Sequence, residues 1–76
     1  MIKELDTVVL THDIEEHGLK QNDIGAVVHS YEDGLAFEVE FVTAEGTTVA
    51  VLTLSQVDIR PMSNREILHV RELALA

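Results

Sequence analysis

Apolar and polar residues alternate along much of this chain with a period of two, the pattern of strands buried on one side only. The clearest case is Ala36 to Val42, where Phe37, Val39 and Phe41 fall on one side and Glu38 and Glu40 on the other. One face of that strand meets a core and the other meets water. A first β-rich run covers Asp6 to Thr11, with Val8 and Leu10 sharing a face, and a second covers Ile24 to His29. Thr47 to Thr53 reads as a fourth strand made almost entirely of β-forming residues. Both of its faces are apolar, so the pattern leaves its inner side open. Leu54-Ser55-Gln56 is expected to make a single tight helical turn. A short fifth strand, Val57 to Arg60, ends at Pro61, which has no N–H to give a ladder.

Turn chemistry separates these runs. Tyr31-Glu32-Asp33-Gly34 is a hairpin signal, because Asp-Gly suits a turn that needs positive φ. Ala44-Glu45-Gly46 marks a second hairpin, and Asn22-Asp23 a turn in which both residue types can bond their own backbone. Gly25, at the start of a strand, suggests a bulge or a close approach of backbone. His12 to Asn22 is polar and reads as a long loop, with Leu19 as its anchor in the core.

The last residues change period. Ser63-Asn64-Arg65-Glu66 has the capping-box pattern, and Ile67, Val70, Leu73 and Ala74 then recur at helical spacing, widened by Leu68 and Leu75. The spacing predicts an amphipathic helix over 64–75, with Glu66, His69 and Glu72 on its wet side. A helix of this length is marginal alone in water, so it is expected to bury its stripe on the sheet, a second copy or a partner. The chain thus divides into a β domain over 1–61 and a C-terminal amphipathic helix over 62–76.

Composition narrows the function. The chain has 76 residues, 46% of them hydrophobic, so it makes one small folded domain. With no cysteine, a disulfide scaffold, a thiolate zinc site and a cysteine nucleophile are ruled out. No apolar run is long enough to span a bilayer, and the start lacks the basic-then-apolar pattern of a signal peptide. The expectation is a soluble, cytoplasmic protein without membrane partners. Fourteen acids oppose five bases, for a net charge of −9. Residues 1–59 hold twelve acids and two bases, whereas 60–76 hold two acids and three bases. Such a domain repels phosphate backbones, and it has no basic stripe to release counterions, so no nucleic-acid partner is expected.

The run Leu19, Asn22-Asp23-Ile24-Gly25-Ala26-Val27-Val28, Tyr31, Gly34, Phe37-Glu38-Val39-Glu40-Phe41, Gly46, Leu54 and Ile59-Arg60-Pro61 resembles a family of short bacterial proteins known only as a domain of unknown function. The family's GD-x-G-x-V-V and VEF elements stand here at 22–28 and 39–41, and the match covers roughly 5–61. Asn22 replaces a usual glycine, which fits because Asn tolerates the left-handed region. A proline often found near Glu15 is missing, and the tail lies outside the match. The strand order looks like that of a small all-β, five-stranded SH3-like barrel, here with an added C-terminal α-helix. The resemblance implies a fold and a bacterial setting but no reaction. Some members are encoded beside toxin-like genes, which implies an antitoxin or immunity role.

Candidate chemistry is sparse. His12-Asp13-Ile14-Glu15-Glu16-His17 is the one dense cluster of metal-ligand types, so a small metal-binding protein or metal-dependent enzyme is the alternative reading. Its two histidines are five apart, a spacing that suits one face of neither a helix nor a strand, and a solvated loop is the simpler reading. Glu38 and Glu40 share a strand face at about 7 Å, but nothing around them builds a cleft. No nucleophile-elbow serine, phosphate loop or catalytic residue stands out, and no cofactor is expected. The reading is a non-enzymatic, acidic protein-interaction module, antitoxin-like or an accessory subunit, that binds a basic protein partner. Its binding residues are Glu15, Glu16, Glu32, Asp33, Glu38 and Glu40 on the acidic rim and Ile67, Val70, Leu73 and Leu75 on the tail. Self-association through the C-terminal helix or an edge strand is also expected.

Overall fold

A computed structural model describes residues 2–73. Five strands form one antiparallel sheet in the order β4-β3-β2-β1-β5. They are β1 (Thr7–Leu10), β2 (Ile24–Ser30), β3 (Ala36–Val42), β4 (Thr48–Ser55) and β5 (Ile59–Pro61). The turns form where positive φ is available. Gly34 (φ 69°) closes the β2–β3 hairpin, its N–H donating to the Tyr31 carbonyl at 2.9 Å. Gly46 (φ 89°) closes the β3–β4 hairpin onto the Thr43 carbonyl at 2.9 Å. Asn22 takes φ 78° ahead of β2.

Among the described residues no second layer covers this sheet, so it curls, barrel-like, around its own inner face. Val8, Leu10, Val27, Phe37, Val39, Phe41, Leu54 and Ile59 make one core cluster, joined by Leu19 from the first loop. Burying each such side chain contributes on the order of 1.5–3 kcal/mol, and in so small a domain few can be spared. Gly25 makes the curl possible. It pairs with Val8, and a Cβ placed on it would lie 2.7 Å from Val39 Cγ1 and 2.8 Å from Phe41 Cε1. The two side chains occupy the space that any other residue would need.

Pairing also settles the inner side of β4. Phe37 lies opposite Leu54, Val39 opposite Leu52 and Phe41 opposite Ala50, which puts those three β4 residues on the core side. Val51 and Thr53 face out beside Glu40 and Glu38. The tight helical turn expected at 54–56 is not there. Leu54 and Ser55 continue β4, and a hydrogen-bonded turn follows, the Asp58 N–H donating to the Ser55 carbonyl at 3.0 Å. The one helical turn of the described residues lies in the first loop, a 3-10 turn at Glu15–His17 that Gly18 ends in the left-handed region.

The main correction concerns the tail. An SH3-like barrel with an appended α-helix is not the architecture of this protein: the chain is all-β and no α-helix occurs among the described residues. From 62 to 73 the tail has no regular secondary structure. The capping box forms only one turn. Glu66 Oε1 accepts the Ser63 N–H at 2.7 Å, but Ser63 Oγ receives the Arg65 N–H at 3.3 Å instead of the Glu66 N–H. The same Glu66 carboxylate takes both ends of the Arg60 guanidinium at 2.8 and 2.7 Å, which binds it to β5. Helical propensity over so short a stretch is too weak to compete with that anchor. Position 61/62 therefore separates the sheet from a strap without regular secondary structure. Ile67 and Val70 are 92% and 88% exposed, so no stripe is buried. Leu73 is half-buried, and Leu75 and Ala74 lie outside the described residues.

Gly25→Ala is expected to destabilise the fold by about 1–3 kcal/mol through overpacking against Val39 and Phe41. Urea denaturation checks this, with Gly34→Ala, where nothing lies within 4 Å of the added carbon, giving the cost of a positive φ alone.

Candidate functional site

The expected acidic rim divides into two places. Glu38 and Glu40 lie half-buried on the outer face of β3, where the pleat puts them because Phe37, Val39 and Phe41 must point inward. Tyr31 Oη donates to Glu38 Oε1 at 3.2 Å, and Thr53 Oγ1 donates to the same oxygen. Thr48 Oγ1 donates to Glu40 Oε2 at 2.8 Å. Neutral hydroxyls hold both carboxylates, and neither has a salt bridge among the described residues. Glu32 and Asp33 are exposed at the tip of the β2–β3 hairpin next to this face, and Asp33 Oδ1 closes the tip by accepting the Leu35 N–H at 2.9 Å. His29, opposite Glu38, sits edge-on to Tyr31 at 4.9 Å and 3.6 Å from the Glu4 carboxylate.

Glu15 and Glu16 belong elsewhere. They sit on the 3-10 turn of the loop that leads into the start of β2, whereas the hairpin lies at its end. Seven residues of strand separate the two ends by roughly 20 Å at 3.3 Å per residue.

The metal-ligand cluster does not assemble. No group of three His, Asp or Glu side chains among the described residues could hold a metal ion. Both ring nitrogens of His12 are engaged, Nδ1 with the Asp13 carbonyl at 2.9 Å and Nε2 with Asp58 Oδ1 at 2.8 Å. Asp58 Oδ2 meanwhile accepts the Ser55 N–H at 2.9 Å and the Ser55 hydroxyl at 3.0 Å. This Ser–Asp–His chain is not a nucleophile relay, since the serine donates to the aspartate and does not reach the imidazole. It ties the β4–β5 turn to the first loop, aided by Thr11 Oγ1 donating to the Val57 carbonyl at 2.8 Å. Hydrogen bonding to Asp58 raises the His12 pKa above 6.5, and the bond to His12 lowers that of Asp58.

A third place was not legible in the sequence. Val9 points away from the core, between Ile24 and Arg60 of the flanking strands, yet is only 3% exposed. The strap passes over it, leaving an open cavity of about 240 Å³ whose lining includes Val9, Ile24, Met62 and Ile67. A wider groove of about 470 Å³ runs between Asp6, Thr7 and the strap. Guanidinium forks fasten both ends of the strap. At one end the Arg60 bonds, with help from the Ser63 N–H, push the Glu66 carboxyl down to about 2. At the other, Arg71 Nε donates to Asp23 Oδ1 at 2.8 Å, and Nη2 donates to Asp23 Oδ2 at 2.5 Å and to the Gly18 carbonyl at 2.9 Å. Burial alone would raise the Asp23 carboxyl, but the Arg71 fork and the Lys20 N–H outweigh it and hold its pKa below the usual value. The sequence marks Asn22-Asp23 only as a turn, and nothing local couples it to an arginine 48 residues later.

Comparison with known proteins adds a family. A family model described as a domain of unknown function, DUF4926, matches residues 4–61. The chain belongs to that family. The match ends at Pro61, so the DUF4926 region holds the sheet, the acidic outer face and Asp23, and the strap lies beyond it. Neither the curated proteins nor the solved structures include a match. No helix of the described residues is long and apolar enough to cross a membrane.

The His12–Asp58 pair carries a pH dependence whose direction follows from its shifts. Stability from the raised His12 pKa is complete below 6.5 and is lost as pH rises through the folded value. Stability from the lowered Asp58 pKa is present above 3.8 and is lost as pH falls through the folded value. In an NMR titration the His12 ring is expected to have a midpoint above 6.5 that moves back toward 6.5 in Asp58→Asn.

Proposed function

We propose that this DUF4926 protein is a non-enzymatic interaction module that binds a basic protein partner, as an antitoxin-like or accessory subunit of the bacterial cytoplasm. The observation that carries this reading is the outer face of β3. Glu38 and Glu40 are held at fixed positions by Tyr31, Thr53 and Thr48, and no cation neutralises them among the described residues. Carboxylates so arranged keep their charge available to an approaching partner, and the field of a chain at −9 steers basic proteins toward it. Glu32 and Asp33 extend this face along the hairpin, while Glu15 and Glu16 form a second acidic patch near Gly18. Against an enzyme stands the openness of the grooves, in which Glu66, the acid they share, is tied to Arg60. A pocket for a small substrate usually encloses its ligand and brings together a few polar groups.

Self-association, on this reading, runs through β4, because the tail offers no helix among the described residues. β4 is an eight-residue edge strand with neither charge nor proline, the two devices that usually protect a free edge.

The test is capture of partners by the purified protein, with affinity then measured for wild type and for Glu38→Lys/Glu40→Lys. The expected result is a basic partner whose binding weakens with salt and falls by about tenfold or more in the double variant, as reversal of contact charges does. A partner held equally well by both proteins, or capture of acidic proteins alone, overturns the reading.

A further inference from the structure

We infer that Asp23 and the Gly18 carbonyl form an arginine socket for a segment of a partner, and that Arg71 of the protein's own strap is its resident occupant. The inference rests on the reading of this protein as a module for basic partners, and it names the ligand chemistry and a regulation. The socket is built by the fold. Its carboxylate, 17% exposed, is positioned by β1, since the Leu10 N–H donates to the Asp23 carbonyl at 2.9 Å. The Lys20 N–H holds Oδ2 at 2.8 Å from the other side. Gly18, in the left-handed region at φ 70°, turns its carbonyl to the same guanidinium. Two carboxylate oxygens and a carbonyl thus meet one planar cation, a geometry that a lysine, with its single nitrogen, does not match.

The occupant shows what the socket takes. Arg71 is followed two residues later by Leu73, and both side chains come to Gly18. Leu73 Cδ1 lies 3.7 Å from the position of a Cβ on Gly18, so an apolar contact accompanies the ion pair. The recognised pattern is an arginine with an apolar residue two positions further on. Socket and occupant also divide along the family match. Gly18 and Asp23 lie within the matched residues 4–61, and Arg71 lies outside them.

An occupant in the same chain competes with any partner. A short flexible tether gives it an effective concentration of about millimolar. A partner's arginine must displace it, which reduces apparent affinity to the fraction of molecules whose socket is empty. The strap is then an inhibitor in cis, and release of Arg71 also opens the groove over Val9.

The experiment uses the full chain and a labelled synthetic peptide with the sequence of residues 67–73, followed by fluorescence anisotropy and by NMR shifts at Gly18 and Asp23. Arg71→Ala is expected to bind this peptide about tenfold more tightly than wild type, because the tethered competitor is gone. The same peptide with alanine in place of its arginine is expected not to bind. Because the second comparison alters only the peptide, it holds whether or not an Asp23 variant folds. Saturable binding that fails to appear in Arg71→Ala up to millimolar peptide, or equal binding of the alanine peptide, overturns the socket. Binding that is lost in Glu38→Lys/Glu40→Lys and unaffected by Arg71→Ala also overturns it, while leaving the acidic-face reading in place.

Discussion

A single sheet without a covering layer can bury its apolar side only against itself, and the rest of this protein depends on that constraint. The inner residues must approach across a tight curl, and at one point they come too close for any side chain on the facing strand. Gly25 is that point, where Val39 and Phe41 fill the space that a Cβ would take. The curl commits β3 completely. With Phe37, Val39 and Phe41 inside, Glu38 and Glu40 have nowhere to go but the outer face, and β4 supplies the hydroxyls that hold them there. The feature that best suggests a function is thus a by-product of the packing that makes the fold.

Charge is divided unevenly in the same way. The three arginines all stand between 60 and 71, and two of them are spent within the molecule, one on Glu66 and one on Asp23. These two forks hold the strap over β1 without regular secondary structure, where an amphipathic helix would otherwise be expected. Glu38 and Glu40 on the sheet's outer face receive no such compensation among the described residues. The protein neutralises its strap and leaves the face of β3 charged, which is why one surface reads as closed and the other as available.

Much of the fold was legible because strands and turns declare themselves locally. The alternation in 36–42, the Asp-Gly hairpin, the glycine at 46 and the anchoring of Leu19 all appear in the structure where local chemistry puts them. The candidate site was legible only in part. Glu38 and Glu40 were found by their alternation, but the partner of His12 in the histidine-rich loop was not. Its ring is taken by Asp58 from 46 residues away, and no local pattern encodes that pairing.

The tail shows where sequence reasoning stops. Its 3.6-residue period and its capping box are genuine local signals, and they lose to ion pairs that no local pattern encodes. The amino-acid sequence by itself determined the strands, the turns and the sign of the charge, because backbone geometry and solvation act between near neighbours. Only the tertiary structure decided which side of β4 faces the core, which acids share a surface, and that Arg71 reaches Asp23. Those outcomes depend on which distant segments the curled sheet brings within a few ångströms of each other.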